Sequence, residues 1–228
     1  ATYWLVRELF AESDRPVRSL ALWSALFLAI SYWPLSINRL AFRANLLPLL
    51  ATVTFALFWH GWHRLWQAQR FPWLSLIATG LGLGLSLYTY TAARFLPFVF
   101  LVLFAASWRQ AQQSAETRRR YWRAVLLIVG CSALTFAPLA VYFMRHPDQF
   151  IERAATVSVF AQADTLMTGI RSLGISVVKT IGLFGFVPDP NVRHDPAIRP
   201  LFPWFMGGWL VVGTLWALWR VRSLSTLF

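Results

Sequence analysis

The sequence predicts an all-α fold: a polytopic bundle of about six transmembrane helices, with interfacial amphipathic helices in one long outer loop. The first observation behind this is composition, since 57% of the 228 residues are hydrophobic, 17% are aromatic and only 13% are charged. A soluble domain carries about 25% charged residues, so this chain has too little polar surface to coat a water-soluble globule. Its 19 Phe and 13 Trp exclude intrinsic disorder, and its single cysteine excludes a secreted disulfide scaffold.

The second observation is the length of the apolar stretches, because a helix needs about 17–25 residues to span a bilayer. None of these stretches alternates apolar and polar residues as the strands of a membrane barrel do. They lie at 18–36, 44–62, 71–89, 93–108, 121–143 and 201–219, and the fourth reaches span length only if it begins at Thr91. The predicted organisation is therefore five helices with short loops over 1–143, an outer loop over 144–200, and a last helix with a cytoplasmic end over 201–228.

The third observation is the arginine distribution, which orients the bundle. With the N-terminus in the cytoplasm, twelve Arg lie in or beside the inner segments, whereas the short outer loops hold only Arg39, Arg43 and Arg94. This asymmetry follows the positive-inside rule and accounts for much of the formal charge of +12. Nucleic acid is not expected as a partner, because the chain has no basic stripe on a soluble face and no binding module. Membrane lipids, and possible contact with a lipid-linked phosphate, are expected instead.

Glycine, histidine and tryptophan residues mark positions inside and beside the spans. Gly80 and Gly84, in the string TGLGLGLS, share a helix face and predict close approach to a neighbouring helix. Trp59 and Trp62 are expected at the inner membrane interface, where tryptophan is enriched. His60 lies beside them, and we expect it to bond to water or backbone, with ligation of a chlorin or haem as the less favoured alternative.

The outer loop is the longest polar segment and the only outer loop long enough to hold a site. The string HPDQFIERAA predicts a helix with Pro147 in its first turn. A second, amphipathic helix is predicted over 164–184 with Asp164 as its N-cap. Lys179 in the middle of that helix favours a position along the outer interface over a span.

The outer-edge arginines are the strongest binding signal. Arg39 and Arg43 are one helical turn apart, and Arg94 lies at the outer end of the next hairpin. Arginine at the bilayer centre costs about 2.5–3.5 kcal/mol on insertion scales, so all three should lie at headgroup depth or line a wet cavity. There the guanidinium fork suits phosphate oxygens, although ordinary snorkelling accounts for the pattern equally well. No catalytic residue and no metal site are predicted, because the four His and one Cys lack ligand spacing.

Five strings, taken in order, carry a resemblance to a known family. They are ATYWLVRELF, SYWPLSINRLAFRANLLPLL, LGLSLYTYTAARFLPFVF, HPDQFIERAATVSVF and PNVRHDPAIRPLF. Together they resemble bacterial family 39 glycosyltransferases, relatives of the protein O-mannosyltransferases with the GT-C architecture. The resemblance implies a multi-pass enzyme of the bacterial inner membrane that takes sugar from a polyprenyl-phosphate donor at the outer face. It implies that Arg39, Arg43 and Arg94 lie towards the lipid-phosphate cavity, with Arg193 and His194 on the outer face above it.

One departure from the family limits the functional expectation. The family's catalytic acidic residue lies in the first outer loop, and this chain begins beyond that loop, with ATYWLVRELF resembling the last turns of a helix already under way. We therefore expect further sequence upstream, and we expect this chain alone to bind a lipid phosphate without turnover. The alternative is a non-catalytic scaffold or accessory subunit of a larger membrane complex, for example an energy-transducing one.

Overall fold

The computed structural model describes residues 1–12, 16–39, 45–67, 70–148, 165–188 and 200–219. The described residues are 85% helical and contain no strand, which confirms the all-α prediction for that part of the chain. The helices are α1 Thr2–Leu9, α2 Val17–Ile30, α3 Tyr32–Arg39, α4 Leu46–Gln67, α5 Trp73–Ser86, α6 Leu96–Ala111, α7 Ala115–Arg145, α8 Leu166–Leu183 and α9 Trp204–Trp219. A 3₁₀ turn over Thr91–Phe95 leads directly into α6.

The chain forms two compact units. The first comprises Ala1–Ile30 and Ala41–Leu139 together with Phe228, and the second comprises Ser31–Leu40 and Ala140–Leu227. The first unit holds the buried core, which draws on α4, α5, α6 and α7. In the second unit α8 is largely exposed, with Gly169 as its one buried residue.

Helices α4 and α5 of the first unit run antiparallel. A Cβ built on Gly61 of α4 meets Ser75 at the start of α5, and one built on Gly82 near the end of α5 meets Thr54 on α4. The later residue of α4 thus contacts the start of α5, and the earlier residue of α4 contacts its end. The direction therefore reverses between the predicted second and third spans, as a short loop requires.

Helices α6 and α7 form the next antiparallel pair. The Thr117 hydroxyl donates to the Ala111 carbonyl at the turn, and one helical turn later the Tyr121 hydroxyl donates to the Phe104 carbonyl at 2.9 Å. The contacts between Phe58 and Phe100 and between Trp62 and Ser107 show that α4 and α6 run parallel. The four helices α4–α7 thus alternate in direction.

The glycine face of α5 packs against α7, as predicted. A Cβ added at Gly80 would lie 2.6 Å from the Ile128 carbonyl oxygen, and one added at Gly84 would lie 2.6 Å from Thr135 Cβ. No real side chain fits in that space, because carbon atoms pack at about 3.5–4.0 Å. The small residues therefore allow the two helices to approach closely.

The core of the first unit is aromatic. Phe58 and Trp62 stack with ring centroids 4.8 Å apart, and Phe58 meets the edge of Phe100 at 5.2 Å. The Trp62 indole donates to the Ser107 hydroxyl at 3.1 Å, so its polar atom is satisfied inside the core. Trp62 is only 2% exposed and Trp59 8%, so both belong to the core of the first unit, and their position at the inner membrane interface stays a prediction. Phe104 of α6 and Tyr121 of α7 lie against Trp62, which a single-helix pattern does not reveal.

Within the described ranges, three helical segments are long and apolar enough to cross a membrane: Thr91–Ala111, Ala115–Arg145 and Leu166–Leu183. The predicted fourth and fifth spans are thus helices of span length, and the fourth begins at Thr91. Six spans are not confirmed. Val17–Ile30, Trp73–Ser86 and Trp204–Trp216 are apolar but shorter, and α4, where the second span was predicted, has 22 residues but is not among the candidate spans. A helix of 14 residues, such as α2 or α5, covers about 21 Å at 1.5 Å per residue, against a hydrocarbon core of about 30 Å.

The predicted first span over 18–36 is not one helix. It breaks at Ser31, which separates α2 from α3. Pro34 explains the break, since its ring would clash with the carbonyl of Ile30 four residues earlier in a continuous helix. At the first turn of α3 the proline is tolerated, and Leu35 N–H donates to the Ser31 carbonyl.

The outer-loop helix α8 begins close to where the sequence placed it, but its N-cap differs. The Thr165 hydroxyl accepts a hydrogen bond from the Thr168 N–H at 3.2 Å, so Thr165 is the cap, and Asp164 lies outside the described residues. Helix α8 has the length and composition of a span, and its interfacial orientation stays a prediction. The helix expected from Pro147 onwards lies mostly outside the described residues.

Candidate functional site

Arg94 is the one predicted binding residue whose side chain the structure describes. It is half-buried in the 3₁₀ turn between α5 and α6. Arg39 is the last residue of α3, and Arg43, Arg193 and His194 lie outside the described residues. The five-residue phosphate site therefore remains a prediction, with one member placed.

The turn that carries Arg94 is held by its own hydrogen bonds. Tyr90 is extended and accepts the Ala93 N–H at 3.0 Å, and Ala93 is fully buried. On the α5 side, the Tyr88 hydroxyl donates to the Thr135 carbonyl of α7 at 2.8 Å. These contacts fix the backbone beside Arg94 at the end of the bundle remote from the α6–α7 turn.

The sequence did not predict a polar cluster between α1 and α4, at the end of the bundle opposite Arg94. Glu8 on α1 forms an ion pair with His60 Nδ1 on α4 at 3.1 Å, and the Trp4 indole donates to the same carboxylate at 2.9 Å. The expected bond from His60 to water or backbone is therefore wrong, because a carboxylate lies against it. The available signal was the spacing of two glutamates at 8 and 12 and two histidines at 60 and 63, each one helical turn apart.

A similar pairing lies one turn further along α4, where the carboxylate comes from Glu12 in the turn that follows α1. Glu12 accepts from His63 Nδ1 at 3.3 Å and also from the Gln67 side-chain amide. Leu5 and Leu9 on α1 pack against the aromatic core. Helix α1 and the turn after it are thus held against α4 by an apolar contact and by two carboxylate–imidazole pairs.

A cavity of about 610 Å³ lies beside these pairs, between α1, the start of α2 and the last turns of α4. Its lining includes the guanidinium groups of Arg7, Arg18 and Arg64, together with the Glu8 carboxylate. A second cavity of about 540 Å³, beside Phe71 and the start of α7, is lined by Arg119, Arg120 and Arg123. There Arg120 pairs with Glu116 at 3.6 Å and donates to the Leu65 carbonyl, so one of its three arginines is already engaged.

Guanidinium groups dominate the charged lining of the two cavities, and such groups can bind anions. Across the described ranges, no group of three or more His, Cys, Asp or Glu side chains is arranged to hold a metal ion. In the second unit His146 stacks on Tyr142 with centroids 4.6 Å apart, and the adjacent Asp148 is exposed. The guanidinium groups are the principal ligand-binding groups that the structure places beside open space.

No family model, curated protein or solved structure matches the chain. The resemblance to family 39 glycosyltransferases thus rests on the five strings quoted above.

Proposed function

We propose that the chain is the membrane portion of a polyprenyl-phosphate-dependent, glycosyltransferase-like protein of the bacterial inner membrane. In this proposal it binds the lipid-linked phosphate and does not transfer sugar by itself. The observation that carries the proposal is the position of Arg94, half-buried in a fixed turn that opens the span-length segment Thr91–Ala111.

The depth of Arg94 supports phosphate binding. It lies three residues into that segment, or about 6 Å from its beginning at about 2 Å per residue of 3₁₀ helix. A bilayer has about 5–7 Å of headgroup region on each side of its hydrocarbon core, so a guanidinium here meets phosphate oxygens. Arginine suits this contact because its planar fork can donate two parallel hydrogen bonds to one phosphate.

The absence of turnover follows from the carboxylates. Inverting transfer to a hydroxyl uses a general base near the acceptor, which contributes about 10²–10⁴-fold. Of the carboxylates predicted on the outer side, the structure describes only Asp148, which is exposed. Glu152, Asp164, Asp189 and Asp195 lie outside the described residues, and none occupies the position that the family resemblance assigns to its catalytic acid.

The test is binding of a polyprenyl phosphate to the purified chain in detergent. Arg94→Ala should weaken binding about tenfold, the effect of losing one charge-assisted hydrogen bond, and Arg39→Ala combined with it should abolish binding. The matched control is Arg109→Ala, which removes an exposed arginine at the other end of α6. Equal binding by the Arg94 variant and the control would refute the proposal.

Sugar release from a polyprenyl-phosphate donor should stay at background with the same preparation. Turnover that is lost on changing Asp148 or another outer-loop carboxylate would show that a catalytic set is present after all. Failure of lipid-phosphate binding in the unchanged protein would favour the alternative, a non-catalytic accessory subunit of a larger membrane complex.

A further inference from the structure

The cavity between α1, α2 and α4 is lined by arginines that have no part in the proposed function. Its lining comes from three helices of the first unit, and its volume of about 610 Å³ lies within the usual 300–1,000 Å³ of small-molecule sites. It lies beside the last turns of α4, and α4 contacts the beginning of α5 through Gly61 and Ser75. Arg94 follows the other end of α5, so the two sites are separate.

The cationic groups of this cavity are largely without protein partners. Arg18 and Arg64 form no ion pair or hydrogen bond within the described part of the chain, and Arg7 contacts only the Tyr3 ring, at 5.8 Å from its centroid. All three are exposed and line the same space. Arg7, Arg18 and Arg64 therefore bring three positive charges to the lining of one cavity, which favours an anion there.

The neighbouring carboxylates are engaged elsewhere. Glu8 is held by His60 and Trp4, at 3.1 and 2.9 Å, and Glu12 is held by His63 and Gln67. Each of the two carboxylates therefore already contacts an imidazole of α4. The cavity retains an excess of positive charge, although Glu8 contributes to its lining.

The surface next to the cavity is apolar. Arg18 stands in the first turn of α2, and the exposed side chains that follow include Leu22, which is 61% exposed, and Trp23, which is 56% exposed. A phosphate bound at Arg18 would place any attached acyl chains along this face. Charge beside exposed apolar surface is the arrangement that recognises an anionic lipid headgroup.

We infer that the α1–α2–α4 cavity binds the phosphate of an anionic membrane lipid through Arg18 and Arg64. Pro16 and Val17 also line the cavity, so the positive end of the α2 dipole adds to the field. The ligand chemistry is a phosphate diester on a lipid, distinct from the polyprenyl phosphate proposed for Arg94.

The experiment titrates the full chain, held in phosphatidylcholine nanodiscs, with dihexanoyl phosphatidylglycerol. Dihexanoyl phosphatidylcholine and inorganic phosphate serve as comparison ligands. We expect binding of the phosphatidylglycerol alone, weakened about fivefold by Arg18→Gln and again by Arg64→Gln, since a surface arginine contributes about that much to anionic-lipid attraction. Arg109→Gln is the matched control because Arg109, like Arg64, lies in the last turn of its helix but does not line the cavity.

One variant should increase the affinity. Glu8→Gln keeps the acceptor for the Trp4 indole and removes the carboxylate that the described residues contribute to the cavity lining, so phosphatidylglycerol should bind several-fold more tightly. A merely structural role for Glu8 predicts weaker binding instead. Unfolding curves of each variant show whether the fold is retained.

Three results would overturn the inference. Arg64→Gln and Arg109→Gln could bind alike, or Glu8→Gln could lose affinity while staying folded. Inorganic phosphate could bind as tightly as the lipid, which would assign the cavity to a soluble phosphate compound. Arg94→Ala should leave this binding unchanged, so its failure and that of the polyprenyl-phosphate proposal are distinguishable.

Discussion

Gly80→Ala tests the close contact between α5 and α7. The added methyl carbon would lie 2.6 Å from the Ile128 carbonyl oxygen and 2.7 Å from Cys131 Cβ, both on α7. The backbone oxygen cannot rotate away, so α5 and α7 must separate locally by about 1 Å to restore contact distance. Gly130→Ala is the matched control, because a Cβ at Gly130 of α7 meets nothing within 4 Å.

The expected magnitude follows from two opposing terms. Overpacking a close contact costs about 1–3 kcal/mol, with rigid backbone at the upper end. Replacing glycine by alanine inside a helix returns up to about 1 kcal/mol of helix propensity. Gly80→Ala should therefore lower the free energy of unfolding by about 1–2 kcal/mol, whereas Gly130→Ala should leave it unchanged or raise it by up to about 1 kcal/mol.

The assay is reversible unfolding of the purified chain in mixed micelles, titrated with a denaturing detergent and followed by circular dichroism. Cys131, the single cysteine of the chain, supplies a second readout. Its thiol should react faster with a maleimide in Gly80→Ala, because displacement of α7 exposes it. If Gly80→Ala is as stable as Gly130→Ala and the thiol reacts no faster, the close approach of α5 and α7 is refuted.

Three further changes test other contacts. Ser107→Ala leaves the buried Trp62 indole without an acceptor and should lower the free energy of unfolding by about 1–3 kcal/mol, measured by the same titration, and an unchanged value would contradict the core arrangement. Thr165→Ala removes the side-chain cap of α8 and should cost about 1 kcal/mol of local stability, seen as faster amide exchange in its first turn, whereas Thr165→Ser should retain protection. In a cysteine-free background, Ser114→Cys and Tyr90→Cys should be labelled from opposite sides of the membrane, because they lie at opposite ends of α6; labelling from one side would reject the orientation.

The sequence by itself determined the class of protein and part of the packing. Its low charge and long apolar stretches indicate segments that lie in lipid. Such segments form helices, because the lipid core offers no hydrogen-bond partners and a helix satisfies its own backbone groups. Gly80 and Gly84 predict a helix contact correctly, since residues four apart always share a helix face. The break before α3 was also readable in principle, since Pro34 is incompatible with a continuous helix.

The tertiary structure alone decided which polar and amphipathic side chains meet. Trp62 has the same local pattern as an interfacial tryptophan, but Phe104 and Tyr121 pack on its ring and Ser107, 45 residues away, accepts its indole N–H. The partner of His60 is Glu8, 52 residues earlier in the chain, and nothing in the pattern of either helix pairs the two residues. Periodicity reports which face a residue occupies on its own helix, whereas the partner depends on how helices distant in sequence pack together. For that reason the membrane class followed from composition, and the arginine-lined cavity emerged only once α1, α2 and α4 were packed together.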